Sequence, residues 1–235
     1  MYTFESRVRY SETDENETLT VAGIVDYLQD TSTFQSEDLG LGVRYLQSMD
    51  LVWVVNAWQI VIHRRPKLGD RIRLGTFPYE FKGFLGLRNF FMEDEAGNRL
   101  VEANSIWTLL NISKGLPARA TEEMIQRYVL EPKLDMDYAP RKIALPDRGI
   151  EKERFLIGRQ HLDGNHHVNN GQYVHMATDY LPADFSVGQL RAEYKRQAHL
   201  GDEIVPVFYE QDGKAVTSLN GTDGLPYAVV EFSPA

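Results

Sequence analysis

The 235-residue sequence contains no cysteine, which excludes disulfides, thiolate nucleophiles and sulfur-ligated zinc. Long apolar runs are missing as well. The best window, residues 51–62, is interrupted by Asn56 and Gln59 and falls short of the eighteen or so residues that a helix needs to cross a bilayer. The opening string Met1-Tyr2-Thr3-Phe4-Glu5-Ser6-Arg7 has neither the basic nor the apolar stretch of a signal peptide. Positive charge is scarce, with 25 Lys+Arg against 34 Asp+Glu and a net charge of −9. That balance argues against nucleic acid or an anionic membrane as partner, because both select basic faces. There is no G-x-S-x-G elbow of an α/β-hydrolase, and Gly40-Leu41-Gly42 is too short for a nucleotide loop and reads as a helix end. His161, His166 and His167 crowd together with no carboxylate at a ligand spacing, so neither a metal nor another cofactor is expected. The expectation is a cytoplasmic chain whose partners are small molecules or proteins.

What is present concentrates in Asp163-Gly164-Asn165-His166-His167-Val168-Asn169-Asn170. In an extended segment Asp163, Asn165 and His167 would share one face, since side chains alternate with period two. Tyr173, Met176, Ala177 and Tyr180 follow at the i, i+3, i+4, i+7 spacing of an amphipathic helix that stops before Pro182. The three polar groups would then stand at a helix N-terminus. Amides of Asn169, Asn170 and Gly171 there could hold an oxyanion. An imidazole, with an ordinary pKa near 6.5, suits proton transfer at cellular pH, so acyl transfer or hydrolysis is the chemistry to expect.

The sequence also repeats. Asp14-Glu15-Asn16 and Leu19 precede Asp163-Gly164-Asn165 and Val168 by 149 residues, and Lys67-Leu68-Gly69-Asp70 precedes His199-Leu200-Gly201-Asp202 by 132. The first copy predicts a helix on Val21, Ile24, Val25 and Leu28 capped by Thr18 or Thr20, then strands at 52–63, 71–78, 85–93 and 100–110, with a hairpin turn at Glu95-Ala96-Gly97-Asn98. The second predicts strands at 190–197, 203–209, 215–219 and 227–232. Between the copies, 132–149 is polar, carries Pro132, Pro140 and Pro146, and reads as a linker. The imidazole position is Thr18 in the first copy, so only the second can be catalytic. The apolar and aromatic residues of the first copy, among them Trp53, Trp58, Phe81, Phe84 and Trp107, are candidate walls of a substrate pocket.

The string D-x-N-x-H-V-N-N, with Tyr173 and then Ala192-Glu193-Tyr194-Lys195-Arg196-Gln197, resembles the catalytic half of the acyl-ACP thioesterases. Trp53-Val54-Val55, Arg65-Pro66-Lys67-Leu68-Gly69-Asp70, Thr76-Phe77, Leu87-Arg88-Asn89-Phe90 and Val101-Glu102-Ala103-Asn104-Ser105-Ile106-Trp107 are similar to that family's substrate-binding half, in the same order. The resemblance covers nearly the whole chain and implies an α+β double hotdog, two tandem units of one helix wrapped by an antiparallel sheet. Residues 1–131 would shape the acyl pocket and 150–235 would carry the chemistry. The implied activity is hydrolysis of fatty acyl-ACP to fatty acid and holo-ACP, with Asp163, Asn165 and His167 catalytic and acyl carrier protein bearing its acyl-phosphopantetheine as partner. Carrier protein is acidic, so Arg64-Arg65-Lys67, Arg141-Lys142 and Lys195-Arg196 are candidate contacts. The chain departs from the family where a catalytic glutamate is expected: it has Gln197, which can position water but cannot accept its proton, followed by Ala198 at a cysteine position. An acyl-CoA thioesterase, a hydratase on the same fold, and a non-catalytic acyl- or carrier-binding module remain alternatives. Monomer and homodimer are both open.

Overall fold

The computed structural model describes all residues, 1–235. They form two compact units, Met1–Asn56 with His63–Tyr138, and Ala57–Ile62 with Ala139–Ala235. Each is a hotdog of the α+β class, a helix against an antiparallel sheet.

The first unit contains β1 (Tyr2–Arg7), α1 (Val21–Asp38), α2 (Val43–Ser48), the start of β2 (Leu51–Ile62), β3 (Arg71–Lys82), β4 (Leu85–Asp94), β5 (Arg99–Asn111), β6 (Leu116–Pro117) and α3 (Glu122–Arg127). Its sheet runs β1-β3-β4-β5-β2, with β6 paired to β5. Helix α1 begins at Thr20, whose side chain accepts the Gly23 N–H, a cap worth about 1 kcal/mol. Val21, Ile24, Val25 and Leu28 are all buried, as their spacing predicts, and α1 lies against β1 and β3. The 94–98 turn closes as expected: Asp94 Oδ1 accepts the amides of Ala96 and Asn98, and Gly97 takes φ 80°.

Two features of this unit are unusual. Arg88 on β4 is buried, and its guanidinium donates to Gln35 of α1 and to Thr76 of β3 at 3.2 Å, with Tyr128 under its face. No carboxylate pairs with it, and burial pulls its pKa down to about 10, so it stays charged at neutral pH. Phe91 lies across Gly75, its cross-strand neighbour, with the Arg99 guanidinium 4.2 Å from its centroid on the same ring.

The second unit takes residues 57–62 of β2 and adds β7 (Ile150–Glu151), β8 (Phe155–Leu156), α4 (Asn170–Thr178), β9 (Val187–Tyr194), β10 (Glu203–Gln211), β11 (Lys214–Asn220) and β12 (Pro226–Pro234). The order is β2-β9-β12-β11-β10-β7, with β8 also paired to β10. Helix α4 lies against β11 and β12 and buries Tyr173, Met176 and Ala177. Tyr173 and Met176 join Ile157, Val168, Ala198, Ile204, Leu219 and Ala228 in one core.

Two boundaries differ from the sequence-based expectation. The first unit runs to Tyr138 rather than 131, because Tyr138 bonds Asn89 and meets Tyr79 edge-to-face. Residues 57–62 join the second unit because Ala57 through Val61 pair with Glu193 through Gln189 of β9. Residues 139–149 carry no regular element but are tied down, since the amide of Ala139 donates to Gln59 and that of Ile143 to Glu193.

A Cβ added at Gly75 would sit 2.1 Å from Phe91 Cζ, whereas one at Gly86 would meet Trp53 and Phe81 at 3.3 Å. Gly75→Ala must therefore displace a buried ring, and overpacking of that kind costs about 1–3 kcal/mol. Thermal melting should show a drop of several degrees for Gly75→Ala and a smaller one for Gly86→Ala.

Candidate functional site

The expected face of alternating side chains is not extended strand. Residues 163–167 form a tight loop between Leu162 and Val168, which bridge each other. Asp163 Oδ1 accepts the Asn165 N–H at 2.8 Å and the His167 N–H at 3.4 Å, and Asp163's own N–H donates to His167's carbonyl at 2.8 Å. His166 takes the left-handed conformation, φ 62°. A short carboxylate that bonds the backbone two residues on competes with strand pairing, and here it wins. Asp163, Asn165 and His167 are gathered by a turn instead of by alternation. The first copy folds the same way: Asp14 Oδ1 takes the amides of Asn16 and Thr18 and the Thr18 hydroxyl, and Glu17 has φ 57°.

Asn165 is exposed and His167 half-buried. Burial is the main influence lowering the His167 pKa; neighbouring His199 and His166 add to it, and Asp163 works the other way. The ring is thus held neutral near pH 7, the state that can accept a proton. Because folding favours the neutral form, protonation opposes it, and this group's contribution to stability is lost as pH falls below the ordinary histidine value.

At the helix start, Asn169 is the N-cap, its Oδ1 accepting the Gly171 N–H at 2.8 Å. The Asn169 N–H is given to His161's carbonyl. These two amides, expected as oxyanion donors, are therefore committed within the protein. The third residue of the group, Asn170, has its carbonyl accepting from the Tyr194 hydroxyl at 3.1 Å.

Gln197 lies outside β9, which ends at Tyr194 rather than at 197. The amides of Lys195 and Arg196 both turn to Tyr227's carbonyl, and Gln197 is exposed. The next residue is pinned on both sides. Ala198 donates its N–H to the Tyr173 hydroxyl at 3.0 Å, and its carbonyl accepts the Val168 N–H at 3.0 Å. This sets His199 beside His167, ring centroids 4.8 Å apart and planes at 82°. Sequence reading missed His199; the repeated Leu-Gly-Asp that follows it was the available signal.

The aromatic wall candidates scatter. Trp53 stacks on Phe81 at 6.1 Å in the core of the first unit, beside Tyr128. Trp58 is 2% exposed and belongs to the second unit. Trp107 is half-buried and donates to the Ser105 hydroxyl, and Phe84 is exposed. Of the basic clusters, Arg64, Arg65, Lys195 and Arg196 already pair with Asp94, Asp14, Glu193 and Asp223. No group of three or more His, Cys, Asp or Glu is placed to hold a metal ion, and no helix is long and apolar enough to cross a membrane.

The family model described as Acyl-ACP thioesterase N-terminal domain matches residues 1–128, and that of the C-terminal domain matches 146–220. The chain belongs to the acyl-ACP thioesterase family. Among curated relatives of the family, it is 25% identical over 218 residues to chloroplastic acyl-(acyl-carrier-protein) hydrolase FATB1 of Cuphea viscosissima, covering 85% of this chain and 52% of that protein. It is 24% identical to oleoyl-acyl carrier protein thioesterase 2 of Arabidopsis thaliana, covering 92% and 65%. The chain thus spans about half the length of the first of these relatives. An acyl-ACP thioesterase structure from Bacteroides thetaiotaomicron superimposes with TM-score 0.90 at 18% identity, covering 98% of this chain and 96% of that one. The 12:0-ACP thioesterase from Umbellularia californica gives 0.84 at 18%, covering 99% and 98%. Both likenesses bear on the fold.

Asp163→Asn keeps an oxygen that can accept both loop amides but removes the charge that favours His167 protonation. NMR titration should show the His167 pKa falling further with little change in melting temperature. Asp163→Ala should instead cost about 1–2 kcal/mol in chemical unfolding, because the loop amides lose their acceptor.

Proposed function

We propose that this chain hydrolyses fatty acyl-ACP thioesters to free fatty acid and holo-ACP, with the reacting groups in the second unit. The observation that carries this reading is a half-buried imidazole, held neutral, on a loop with an exposed amide and a carboxylate. Family membership supplies the substrate class.

In this scheme His167 takes a proton from water as the water oxygen bonds to the thioester carbon. The Asn165 side-chain amide donates to the carbonyl oxygen as it becomes an oxyanion. Asp163 stabilises the transient imidazolium. When the C–S bond breaks, the imidazolium returns its proton to the departing thiolate of the pantetheine arm, leaving acid and thiol. No step needs a metal or redox group. Gln197 can hold the water by hydrogen bonding. The first unit would bind the acyl chain. Arg141 and Lys142 are exposed and remain candidates for carrier-protein contact; the cytoplasm remains the expected location.

Gln197 also favours a second reading, a non-catalytic acyl-binding module, since no carboxylate stands at that position. Thiol release from matched acyl-ACP and acyl-CoA panels separates the two. Turnover on acyl-ACP that falls about 100-fold or more in His167→Ala is the expected result. Bound acyl ligand without thiol release, equal in wild type and His167→Ala, would overturn the hydrolase reading.

A further inference from the structure

We propose that His199 is a positioning residue of this centre, its ring standing edge-to-face with His167 so as to fix that imidazole's orientation and keep it in its proton-accepting form. The inference rests on the hydrolase reading and assigns to a second histidine part of the work that a carboxylate at position 197 would have done.

Three observations meet here. The first is contact: the two rings are 4.8 Å apart and nearly perpendicular, an arrangement that aromatic pairs favour. The second is rigidity, because the residue before His199 is bonded to α4 through Tyr173 and to the His167 loop through Val168. Asp202 Oδ2 accepts the His199 N–H at 2.9 Å and lies 3.8 Å from its Nδ1, and the Tyr227 hydroxyl on β12 donates to the same oxygen at 3.1 Å. The third is the internal comparison. In the first copy the corresponding positions are Thr18 and Lys67, which share a backbone β-bridge, and the position of Gln197 is Arg65, locked to Asp14 at 2.6 Å. The scaffold is shared, and the exchange of Thr18, Lys67 and Arg65 for His167, His199 and Gln197 turns an ion-paired corner into one with two imidazoles. It also leaves Asp163 without a cationic partner.

The electrostatics follow from the groups that face these rings. His167 meets Asp163 and His166 from its own loop and His199 from the turn after β9. His199 meets Asp202; beyond it, Arg196 is paired with Asp223 and lies over Tyr227. Positive charge at position 199 disfavours a proton on His167. Position 199 contributes a stacking surface and a charge, which substitutions can separate.

The test measures kcat/KM for acyl-ACP against pH, with the His167 imidazole followed by NMR, in wild type, His199→Phe, His199→Lys and His199→Ala. His199 is more than half exposed, and thermal melting verifies that the variants fold. Phenylalanine keeps the stacking and removes the charge, so the acidic limb and the His167 titration should move up by about half a pH unit, with the alkaline plateau within about threefold of wild type. Lysine keeps the charge, so both should stay at or below the wild-type position, with a lower plateau. Alanine removes both, so the plateau should fall about tenfold while the limb moves up. Identical limbs in the Phe and Lys variants, or an alanine variant indistinguishable from wild type, would overturn the proposal. If no variant and no wild type releases thiol while His167 titrates in the stated order, the hydrolase reading fails and the pairing of the rings survives.

Discussion

The hydrogen bonds of one alanine backbone hold the second unit's centre together. Ala198 receives from Val168 and gives to Tyr173, so the strand exit, the histidine loop and α4 meet at a single peptide. Each bond is worth about 1 kcal/mol net, but their geometric effect is larger than their energy. Val168 and Ala198 are also core residues; slipping this contact by one residue would expose two apolar side chains and separate the imidazoles together. Burial of Tyr173 raises its pKa to about 12, so its hydroxyl remains protonated at any physiological pH.

The duplication separates scaffold from chemistry. Both copies use an aspartate to fold a five-residue loop, a left-handed residue in its fourth place, and a Leu-Gly-Asp turn facing it. Where the first copy spends its aspartate on an arginine, the second leaves it beside an imidazole. A salt bridge and a proton-transfer site are thus alternative uses of one loop. Because the loop's backbone bonds are independent of the choice, the reactive version costs little in foldedness.

Much of the architecture was legible from patterning. The α1 stripe, the Thr20 cap and most strands followed from period and turn chemistry, since buried faces leave their period in the sequence. The loop at 163–167 was not, because alternating polar residues look identical whether extended or curled. His166 is neither glycine nor asparagine, and histidine's modest enrichment at positive φ is too weak a sign to announce φ 62°. The commitments of the Asn169 and Gly171 amides depend on where a side chain and a distant carbonyl fall. His199 was missed for a related reason: it lies 32 positions from His167, and only the fold brings them together. The reassignment of residues 57–62 is again a matter of long-range pairing, with β9.

Arg88 has a consequence for α1 that apolar packing alone would not produce. Hydrocarbon contacts are nearly indifferent to a small axial slide, because one methyl replaces another at similar energy. Hydrogen bonds from a rigid guanidinium to Gln35 on the helix and Thr76 on the sheet are not, since they depend on distance and direction to two fixed oxygens. The buried charge therefore acts as an index pin: it adds little to the strength with which helix and sheet adhere, and it selects which of several near-equivalent registers they adopt.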